Sequence, residues 1–490
     1  MGKRASALTA AALAWLGGWA TAQFNPQVDA VLLASDAKAS DQFGLSVAVS
    51  GDTAVVGSLG DKAYVFRRDG GGWIEEQILT GGLGQLFGRS VDINDDVIVI
   101  GDIEHDGSSA LLGPGAAYVY RSNGSVWQLE ATLTASDGGF GDSFGDSVAV
   151  FGDTVLVGAR VARAGYVFHY DGSSWTEQAK LTGGAGQFGE LVALSEDTAV
   201  VSGTSSTSAI VYVRSGTTWA QQAVINPTSP PNVTAVALVG DTLALGSYSE
   251  FWVYSRIGAT WSEDLHVTES VPNSNLGSSL SLSADASVLA VGARSETASG
   301  QSAGTVHVFR SFGGMWQDRA LLSGAAPSDG DSFGFGVSVS GDSVLAGAPG
   351  EDTQTLGATG SAYVFDLNPT WVDVGGQLAG TAGLPSLTGD GGLVGGSVAA
   401  LLLQDAKPFA SAPLVMGLTA LNASFKGGLL VPNPDILLAF STDGFGNVSL
   451  SGPWPVGVPS GLAFYSQFWI SDPAGPSGFA ASNALSGTTP

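Results

Sequence analysis

The feature that most constrains the fold of this chain is a unit that recurs seven times along the first three quarters of the sequence. Each unit contains an aromatic-rich apolar run, such as Ala63 to Phe66, followed by a tryptophan. A second apolar run, opened by a Gly-Asp type of turn as in Gly51 to Gly57, lies upstream of each aromatic run. The seven tryptophans are Trp73, Trp127, Trp175, Trp219, Trp261, Trp316 and Trp371. Because such self-similarity is typical of repeat architectures, the chain is predicted to stack seven copies of one supersecondary unit.

Each unit has the pattern of four short β-strands. The Gly-Asp, Asp-Gly and Asn-Gly turns between the apolar runs are typical of antiparallel hairpins. The second run is apolar at successive positions, which indicates a strand covered on both faces, as in a sheet wedged between two similar sheets. The predicted fold class is therefore all-β, with a seven-bladed β-propeller of four-stranded antiparallel blades.

The segment that precedes the first unit is predicted to complete the ring. Trp371 leads into a different kind of sequence, so the seventh unit has no fourth strand after its tryptophan. The segment from Ala30 to Ala34 is similar to the fourth strands of the other units and precedes the first unit. We therefore expect it to pair with the last sheet around Ser361 to Phe365, which would remove the exposed strand edges of an open array.

A Phe-Gly pair opens five of the units, and one unit also carries the triplet Gly347-Ala348-Pro349. The phenylalanines of these pairs are Phe43, Phe87, Phe144, Phe188 and Phe333. These motifs resemble the FG-GAP repeat family, whose β-propellers include the N-terminal head of integrin α chains and many exported bacterial proteins. The resemblance covers roughly residues 28 to 371, and it implies a propeller that serves adhesion, ligand binding or catalysis. We expect the phenylalanines to fill the space between neighbouring sheets and the glycines to let backbones approach closely.

Residues 1–22 are predicted to be a signal peptide. Lys3 and Arg4 precede an apolar stretch from Ala7 to Ala20, and Ala20-Thr21-Ala22 supplies the small residues of a cleavage site. The stretch is shorter than the roughly 20 residues of a membrane-spanning helix, and no later segment is long and apolar enough to span a bilayer. We therefore expect a secreted, cell-surface or periplasmic protein without a transmembrane segment.

The propeller is predicted to span residues 23–371, and residues 372–490 are predicted to form a separate β-sandwich domain. Its apolar runs, for example Val398 to Leu403, are separated by Gly-, Pro- and Asn-rich turns. Tyr465, Phe468 and Trp469 are candidates for a carbohydrate-binding platform or for core packing, and packing is the expectation. No motif fixes a function for this domain.

The composition excludes several classes of function. The 490 residues contain 44 acidic and 18 basic side chains, a formal net charge of −26, which disfavours nucleic acid and anionic lipid as partners and leaves cations and basic surfaces open. The chain has no cysteine, which excludes disulfides, thiolate nucleophiles and zinc sites built from thiolates.

Calcium is the metal for which the sequence offers candidate ligands. In an up-and-down sheet, the loops between strands two and three and those between strand four and the next strand one emerge on the same face. Aspartates recur in the second class of loop just before Phe-Gly pairs; they are Asp36, Asp41, Asp137, Asp142, Asp329 and Asp331. Calcium takes six to eight oxygen ligands of this kind. The alternative is that these aspartates accept hydrogen bonds from loop amides.

The calcium loop of integrin-like relatives is missing here. In those relatives, an Asp-x-Asp-x-Asp-Gly type of loop between the first and second strands binds calcium. The corresponding connections of this chain are short turns such as Ser50-Gly51-Asp52. That calcium-binding role therefore does not carry over.

No catalytic constellation stands out in the sequence. The four histidines, His105, His169, His266 and His307, fall in different units. The predicted function is an exported, non-catalytic binding or adhesion scaffold with an acidic loop face and a protein or glycan ligand outside the cytoplasm. Two alternatives are a secreted hydrolase that uses a pair of carboxylates, a chemistry that needs only two such groups at the right separation, and a glycan-binding lectin.

Overall fold

The structure, a computed structural model, describes residues 28–69, 72–81, 86–103, 113–184, 186–228, 232–297, 300–312, 315–352, 357–367, 371–393, 397–455, 458 and 462–489. The predicted signal peptide at residues 1–22 lies outside these ranges. The chain divides into two compact units, and the division near the end of the repeats falls between Phe365 and Asp366.

The first unit contains seven four-stranded sheets among the described residues, as the repeats predicted. Its strands are β1 (Val28–Leu32), β2 (Ser46–Ser50), β3 (Thr53–Gly57), β4 (Lys62–Asp69), β5 (Gly72–Thr80), β6 (Phe87–Asn94), β7 (Val97–Asp102), β8 (Ala116–Ser122), β9 (Trp127–Leu133), β10 (Phe144–Phe151), β11 (Thr154–Ala159), β12 (Ala164–Tyr170), β13 (Trp175–Leu181), β14 (Leu191–Ser195), β15 (Thr198–Ser202), β16 (Ala209–Ser215), β17 (Thr218–Ile225), β18 (Ala235–Val239), β19 (Thr242–Gly246), β20 (Glu250–Ile257), β21 (Thr260–Thr268), β22 (Leu276–Leu282), β23 (Val288–Ala293), β24 (Thr305–Phe312), β25 (Met315–Leu322), β26 (Val337–Ser340), β27 (Ser343–Ala348) and β28 (Ser361–Asp366). Six sheets, blades 1 to 6, take four consecutive strands each, starting with β2 to β5.

Blade 7 is completed by the N-terminal strand. It has the order β1-β28-β27-β26, and β1 runs antiparallel to β28. Val31 pairs with Tyr363 and Leu32 with Ala362. The predicted closure of the ring is therefore confirmed, with the pairing strand beginning at Val28, two residues before the predicted segment.

The second strand of each blade is covered on both faces. In β3, β7, β11, β15 and β23 every residue is buried. Val55 of β3 packs with residues of blade 2, whereas its neighbour Val56 packs with residues of blade 7. Successive apolar residues are buried because each blade is packed between two others, as the sequence pattern indicated.

In six of the seven blades, the next blade approaches so closely that a side chain cannot be accommodated at the end of the second strand. A Cβ atom added at Gly101 of β7 would lie 2.0 Å from the carbonyl oxygen of Gly145, the glycine of the next Phe-Gly pair. Gly145 itself has a φ of +93°, a conformation that favours glycine. The same approach recurs between Gly57 and Gly88, Gly158 and Gly189, Gly246 and Gly277, Gly292 and Gly334, and Gly347 and Gly44.

The phenylalanines of the Phe-Gly pairs lie between blades. The ring of Phe144 contacts Tyr166 of its own blade edge-to-face at 5.5 Å, and its backbone bridges to Gly115 of the preceding blade. All five phenylalanines are buried. The structural roles expected for both members of the pair are therefore confirmed.

The second unit is a β-sandwich. Its elements are β29 (Trp371–Asp373), β30 (Ser386–Asp390), β31 (Val398–Gln404), β32 (Leu414–Gly417), β33 (Ala420–Phe425), β34 (Gly428–Pro432), β35 (Ile436–Leu438), β36 (Val448–Pro453), β37 (Ala463–Ser471), a 3-10 turn (Pro476–Gly478), β38 (Phe479–Ala481) and β39 (Leu485–Thr488). A sheet of order β29-β39-β37-β32-β35 and a sheet of order β30-β31-β36 bury side chains in one core, for example Phe468 against Leu401 and Leu450. Phe468 and Trp469 are buried, so core packing rather than a carbohydrate platform accounts for them.

Trp371 differs from the other six repeat tryptophans. It lies in the core of the sandwich, where its ring contacts Phe464 edge-to-face at 5.5 Å and its Nε1 donates to Gly391 O at 3.0 Å. The tryptophan that marks the seventh repeat in the sequence therefore begins the second unit in the structure.

Replacing Gly101 by alanine tests the close approach of the blades. We expect Gly101→Ala to lower the free energy of unfolding by about 3 kcal/mol, because the added methyl collides with backbone atoms of the next blade. Thermal unfolding followed by circular dichroism measures the change. Gly72→Ala is the control, since a Cβ there meets no atom within 4 Å. Equal melting temperatures of the two variants would contradict the explanation.

Candidate functional site

Two classes of loop meet on one face of the propeller, as predicted, and we call this surface the loop face. Ser40 N donates to Gly357 O at 3.0 Å, and Leu59 N donates to Asp41 O at 2.7 Å. These bonds join loops after a fourth strand to loops after a second strand. The described residues of the loop face are 33–45, 58–61, 81, 86, 103, 113–115, 134–143, 160–163, 182–184, 186–190, 203–208, 226–228, 232–234, 247–249, 269–275, 294–297, 300–304, 323–336, 349–352 and 357–360.

Asp36 occupies a site already filled by a lysine and a tyrosine. Its carboxylate forms an ion pair with the Lys62 ammonium and accepts a hydrogen bond from the Tyr64 hydroxyl at 2.8 Å. The hydrogen bond from Lys62 is the main cause that lowers the pKa of Asp36.

The same arrangement recurs two blades further on. Asp137 accepts from the Lys180 ammonium at 2.6 Å and from the Tyr166 hydroxyl at 2.9 Å, and Lys180 is the main cause that lowers its pKa. These two aspartates are therefore fixed by cations of the chain itself.

Asp41, Asp142 and Asp331 fold their own loops. In each case one carboxylate oxygen accepts from the backbone N–H three residues earlier, at 2.9 Å for Asp41, 2.6 Å for Asp142 and 2.6 Å for Asp331. Their backbone carbonyls accept hydrogen bonds from the loops that follow second strands. For example, Gly350 N donates to Asp331 O at 3.0 Å. The repeated aspartate before the Phe-Gly pair is thus a loop-capping residue, the alternative reading of the pattern.

The sixth candidate, Asp329, has a related role. Its Oδ1 accepts from the backbone N–H of Ser302, which lies in the loop between β23 and β24, at 2.6 Å. Within the part of the chain that the structure describes, no group of three or more His, Asp or Glu residues is arranged to hold a metal ion. The structure thus accounts for all six aspartates by bonds within the protein, and calcium binding stays a prediction.

A thermal melt decides the calcium prediction. Calcium at Asp36 or Asp137 would have to displace an ammonium group, so we expect the same melting temperature in millimolar calcium chloride and in chelator. A ligand that binds only the native state must raise the midpoint. A rise in calcium that is lost in Asp142→Asn would contradict this expectation and establish the site.

Two glutamates of the loop face bind strand-three side chains, a feature that sequence reasoning missed. Glu351 accepts from the Tyr363 hydroxyl at 2.9 Å and from the Ser361 hydroxyl. Glu296 accepts from the Thr305 hydroxyl and lies 2.7 Å from Nε2 of His307. Each glutamate follows Gly-Ala by three residues, as Gly292-Ala293 and Gly347-Ala348 show, so this spacing was the signal available in the sequence.

His307 lies between two carboxylates. Its Nε2 faces Glu296, and its Nδ1 lies 3.3 Å from Oδ2 of Asp318 on the neighbouring strand β25. Burial acts to lower the pKa of His307, but Asp318 and Glu296 outweigh it and raise the pKa to about 9. In the opposite sense, burial acts to raise the pKa of Glu296, and the bonds from His307 and Thr305 hold it below its usual range. The histidine is therefore a cation at neutral pH.

The pH dependence of stability tests this ion cluster. Because the folded-state pKa of His307 lies above the unfolded value of 6.5, its contribution is fully present below pH 6.5 and is lost as pH rises through about 9. We expect His307→Gln to lower the free energy of unfolding by about 2 kcal/mol relative to the wild-type protein at pH 6. We expect this difference to shrink by pH 9.5.

The matched control is His169→Gln, because among the described residues the hydrogen bond of the His169 ring is to a backbone carbonyl, that of Asp153. A deficit of His307→Gln that stays constant between pH 6 and 9.5 would refute the assignment.

The axis of the propeller encloses a channel of about 560 Å³, lined by the first strands of all seven blades. Asp92 of β6 is a carboxylate in this lining. Its oxygens accept from the backbone N–H groups of Ile93 at 2.9 Å and of Val150, in the next blade, at 2.7 Å. Burial raises the pKa of Asp92 to about 7 despite these two bonds.

Serines occupy the position of Asp92 in two other blades. Val339 N donates to Ser281 Oγ and Val49 N donates to Ser338 Oγ, both at 3.0 Å. Side chains at this position therefore link adjacent blades by hydrogen bonds, and no sequence pattern indicated that Asp92 lines the channel.

The comparison with protein families bears on the repeats. The FG-GAP repeat model matches residues 27–71, 73–120, 127–169 and 316–365. Four segments of the chain are therefore similar to the FG-GAP repeat. The units between residues 170 and 315 lie outside the matches, although they form blades of the same kind.

Solved structures resemble the propeller in fold. "Structure of U3-55K" shares 12% identity over 69% of this chain and 99% of that chain, with a TM-score of 0.50. "Crystal structure of RRP9 WD40 repeats" shares 11% identity over 70% of this chain and 99% of that chain, with a TM-score of 0.51. At such identities the likeness shows a propeller fold and nothing of function. A search of curated proteins gives no match.

The described residues contain no helix with the length and apolar character needed to cross a membrane.

Proposed function

We propose that the protein is an exported, non-catalytic scaffold that binds a protein or glycan through the loop face of its propeller. The propeller, together with the segments that match the FG-GAP repeat, supports an interaction scaffold. Export is supported by the signal-like residues 1–22, and it would place the protein at the cell surface, in the periplasm or in the medium.

One observation carries this proposal: the loop face is held rigid by its own side chains. Asp41, Asp142 and Asp331 fix the loops after the fourth strands, and Glu296 and Glu351 fix those after the second strands. A surface ordered before binding loses little conformational entropy on association, which favours recognition.

Exposed apolar side chains on this rigid surface offer a contact point. Phe140 is 66% exposed and Val161 is 58% exposed, and their loops are joined by the bond from Val161 N to Asp142 O at 3.2 Å. Large exposed apolar groups of this kind are frequent anchors of interfaces. The proposed contact region therefore centres on the blade 3 part of the loop face.

A hydrolase is the second candidate function, and one observation favours it. Burial, followed by the negative charges of Glu351, Asp352 and Asp329, raises the pKa of Asp331. A carboxyl whose pKa is raised beside other carboxylates is the kind of group that a glycosidase uses as its general acid. In this protein, however, Asp331 also caps its loop by accepting from Ser328 N, and this bond acts to lower its pKa.

A comparison of two surface variants tests the scaffold proposal. A displayed random-peptide library and a glycan array, selected on the purified mature chain, supply a binder. We expect Phe140→Ser to weaken that binder about tenfold, because an exposed aromatic anchor is removed. The control is Ile257→Ser on the opposite face, where the side chain is 86% exposed.

Several results would count against the proposal. Loss of binding with Ile257→Ser alone would move the site to the other face. Hydrolysis of polysaccharides by the wild-type chain that disappears in Asp331→Asn would replace the scaffold by the hydrolase. A protein retained in the cytoplasm with residues 1–22 intact would refute export.

A further inference from the structure

The loop face holds a pocket of about 390 Å³ between blades 3 and 4. Arg160, Val161 and Arg163 line one side, and Gly186, Gln187 and Ser205 line the other. Its volume is within the range of small-ligand sites. The pocket is notable because two of the few basic residues of an acidic chain converge on it.

The first arginine is held in place by a buried carboxylate. Nε of Arg160 lies 3.4 Å from Oδ2 of Asp146, and Nε of Arg89 donates to the other oxygen of Asp146 at 2.9 Å. Asp146 is therefore shared by two guanidinium groups. The two guanidinium groups and the one carboxylate together carry a net positive charge. Arg160 therefore brings positive charge to the pocket.

The second arginine lacks such a partner. Arg163 is exposed at the end of the four-residue turn between β11 and β12, and it forms no ion pair with a residue that the structure describes. By contrast, Arg214 and Arg256 each pair with an aspartate at 2.6 Å. The guanidinium of Arg163 is thus available to a ligand.

The opposite wall adds a hydrogen-bond donor. The amide oxygen of Gln187 accepts from the Ser205 hydroxyl at 3.3 Å and lies 2.8 Å from the Thr204 hydroxyl, whose single proton is shared with the carboxylate of Glu190. Because the amide oxygen faces these two hydroxyls, the Gln187 NH₂ group is the part of the side chain left to donate. The pocket therefore combines two guanidinium forks, an amide donor, a hydroxyl and the exposed apolar surface of Val161.

We propose that this pocket binds the carboxylate of a single acidic sugar residue, a uronic acid. Planar guanidinium groups match the two oxygens of a carboxylate. The ring hydroxyls would meet Gln187 and Ser205, and a C–H face would meet Val161. The formal net charge of −26 repels extended polyanions, so the pocket suits one carboxylate rather than a highly charged chain. The inference rests on the proposed function and names a ligand chemistry for the loop face.

Titration calorimetry with the mature chain tests the pocket. The probes are glucuronic acid, glucose as the neutral analogue, and acetate and N-acetylaspartate as carboxylates without a sugar ring. We expect glucuronate to bind about tenfold more tightly than glucose and acetate, and binding to weaken as sodium chloride screens the arginines.

Arg163→Gln is the decisive variant, because Arg163 holds no buried carboxylate and its loss leaves Asp146 paired. We expect it to weaken glucuronate binding about tenfold, and Arg163→Lys, which keeps the charge without the fork, to weaken it less. Lys38→Gln is the matched control, since Lys38 is an exposed cation of the loop face in another blade.

Equal binding of glucose and glucuronate, or unchanged binding by Arg163→Gln, would overturn the proposal. Tighter binding of N-acetylaspartate than of glucuronate would overturn the sugar assignment. These outcomes are separate from the scaffold test, because Phe140→Ser is measured with the selected macromolecular binder.

Discussion

The structure depends on the close approach of backbone to backbone where one blade meets the next. At the end of the second strand in six of the seven blades, a glycine such as Gly101 faces the carbonyl of a glycine of the next blade such as Gly145, with no room for a Cβ. The buried phenylalanine of the Phe-Gly pair packs against aromatic side chains of the third strand, as Phe144 does against Tyr166. The seven blades close into a ring because β1 pairs with β28.

The closed ring determines where polar groups are found. It brings the loops after the second and fourth strands to one face, where backbone amides need acceptors. Asp41 and Asp142 supply them within their own loops, and Asp36 and Asp137 instead bind lysines. Many of the carboxylates on this face are therefore engaged in holding its loops in place. The groups left for a ligand are few, and they include the apolar side chain of Phe140 and the cation of Arg163.

The sequence predicted the fold more completely than it predicted the candidate site. The tryptophan and Phe-Gly repeats predicted the number of blades, their strands and the closing strand, because these are local patterns repeated seven times. The candidate calcium ligands were correctly placed on one face, yet their partners were not foreseen. Lys62 lies 26 residues from Asp36 and Lys180 lies 43 residues from Asp137, so no local pattern joins them. No local pattern joins His307 to its partners either, because Asp318 and Glu296 reach it from the neighbouring strand and from a loop.

The sequence by itself determined the all-β repeat, the ring of seven blades and the acidic character of the chain, since periodic burial and turn chemistry are encoded locally. Only the tertiary structure decided that Trp371 belongs to the second unit, that the loop aspartates are engaged within the protein, and that Arg160 and Arg163 line one pocket. The physical reason is that hydrogen bonds, ion pairs and cavities depend on which side chains the packed blades bring within a few ångströms of one another, whereas the repeat specifies only the blades.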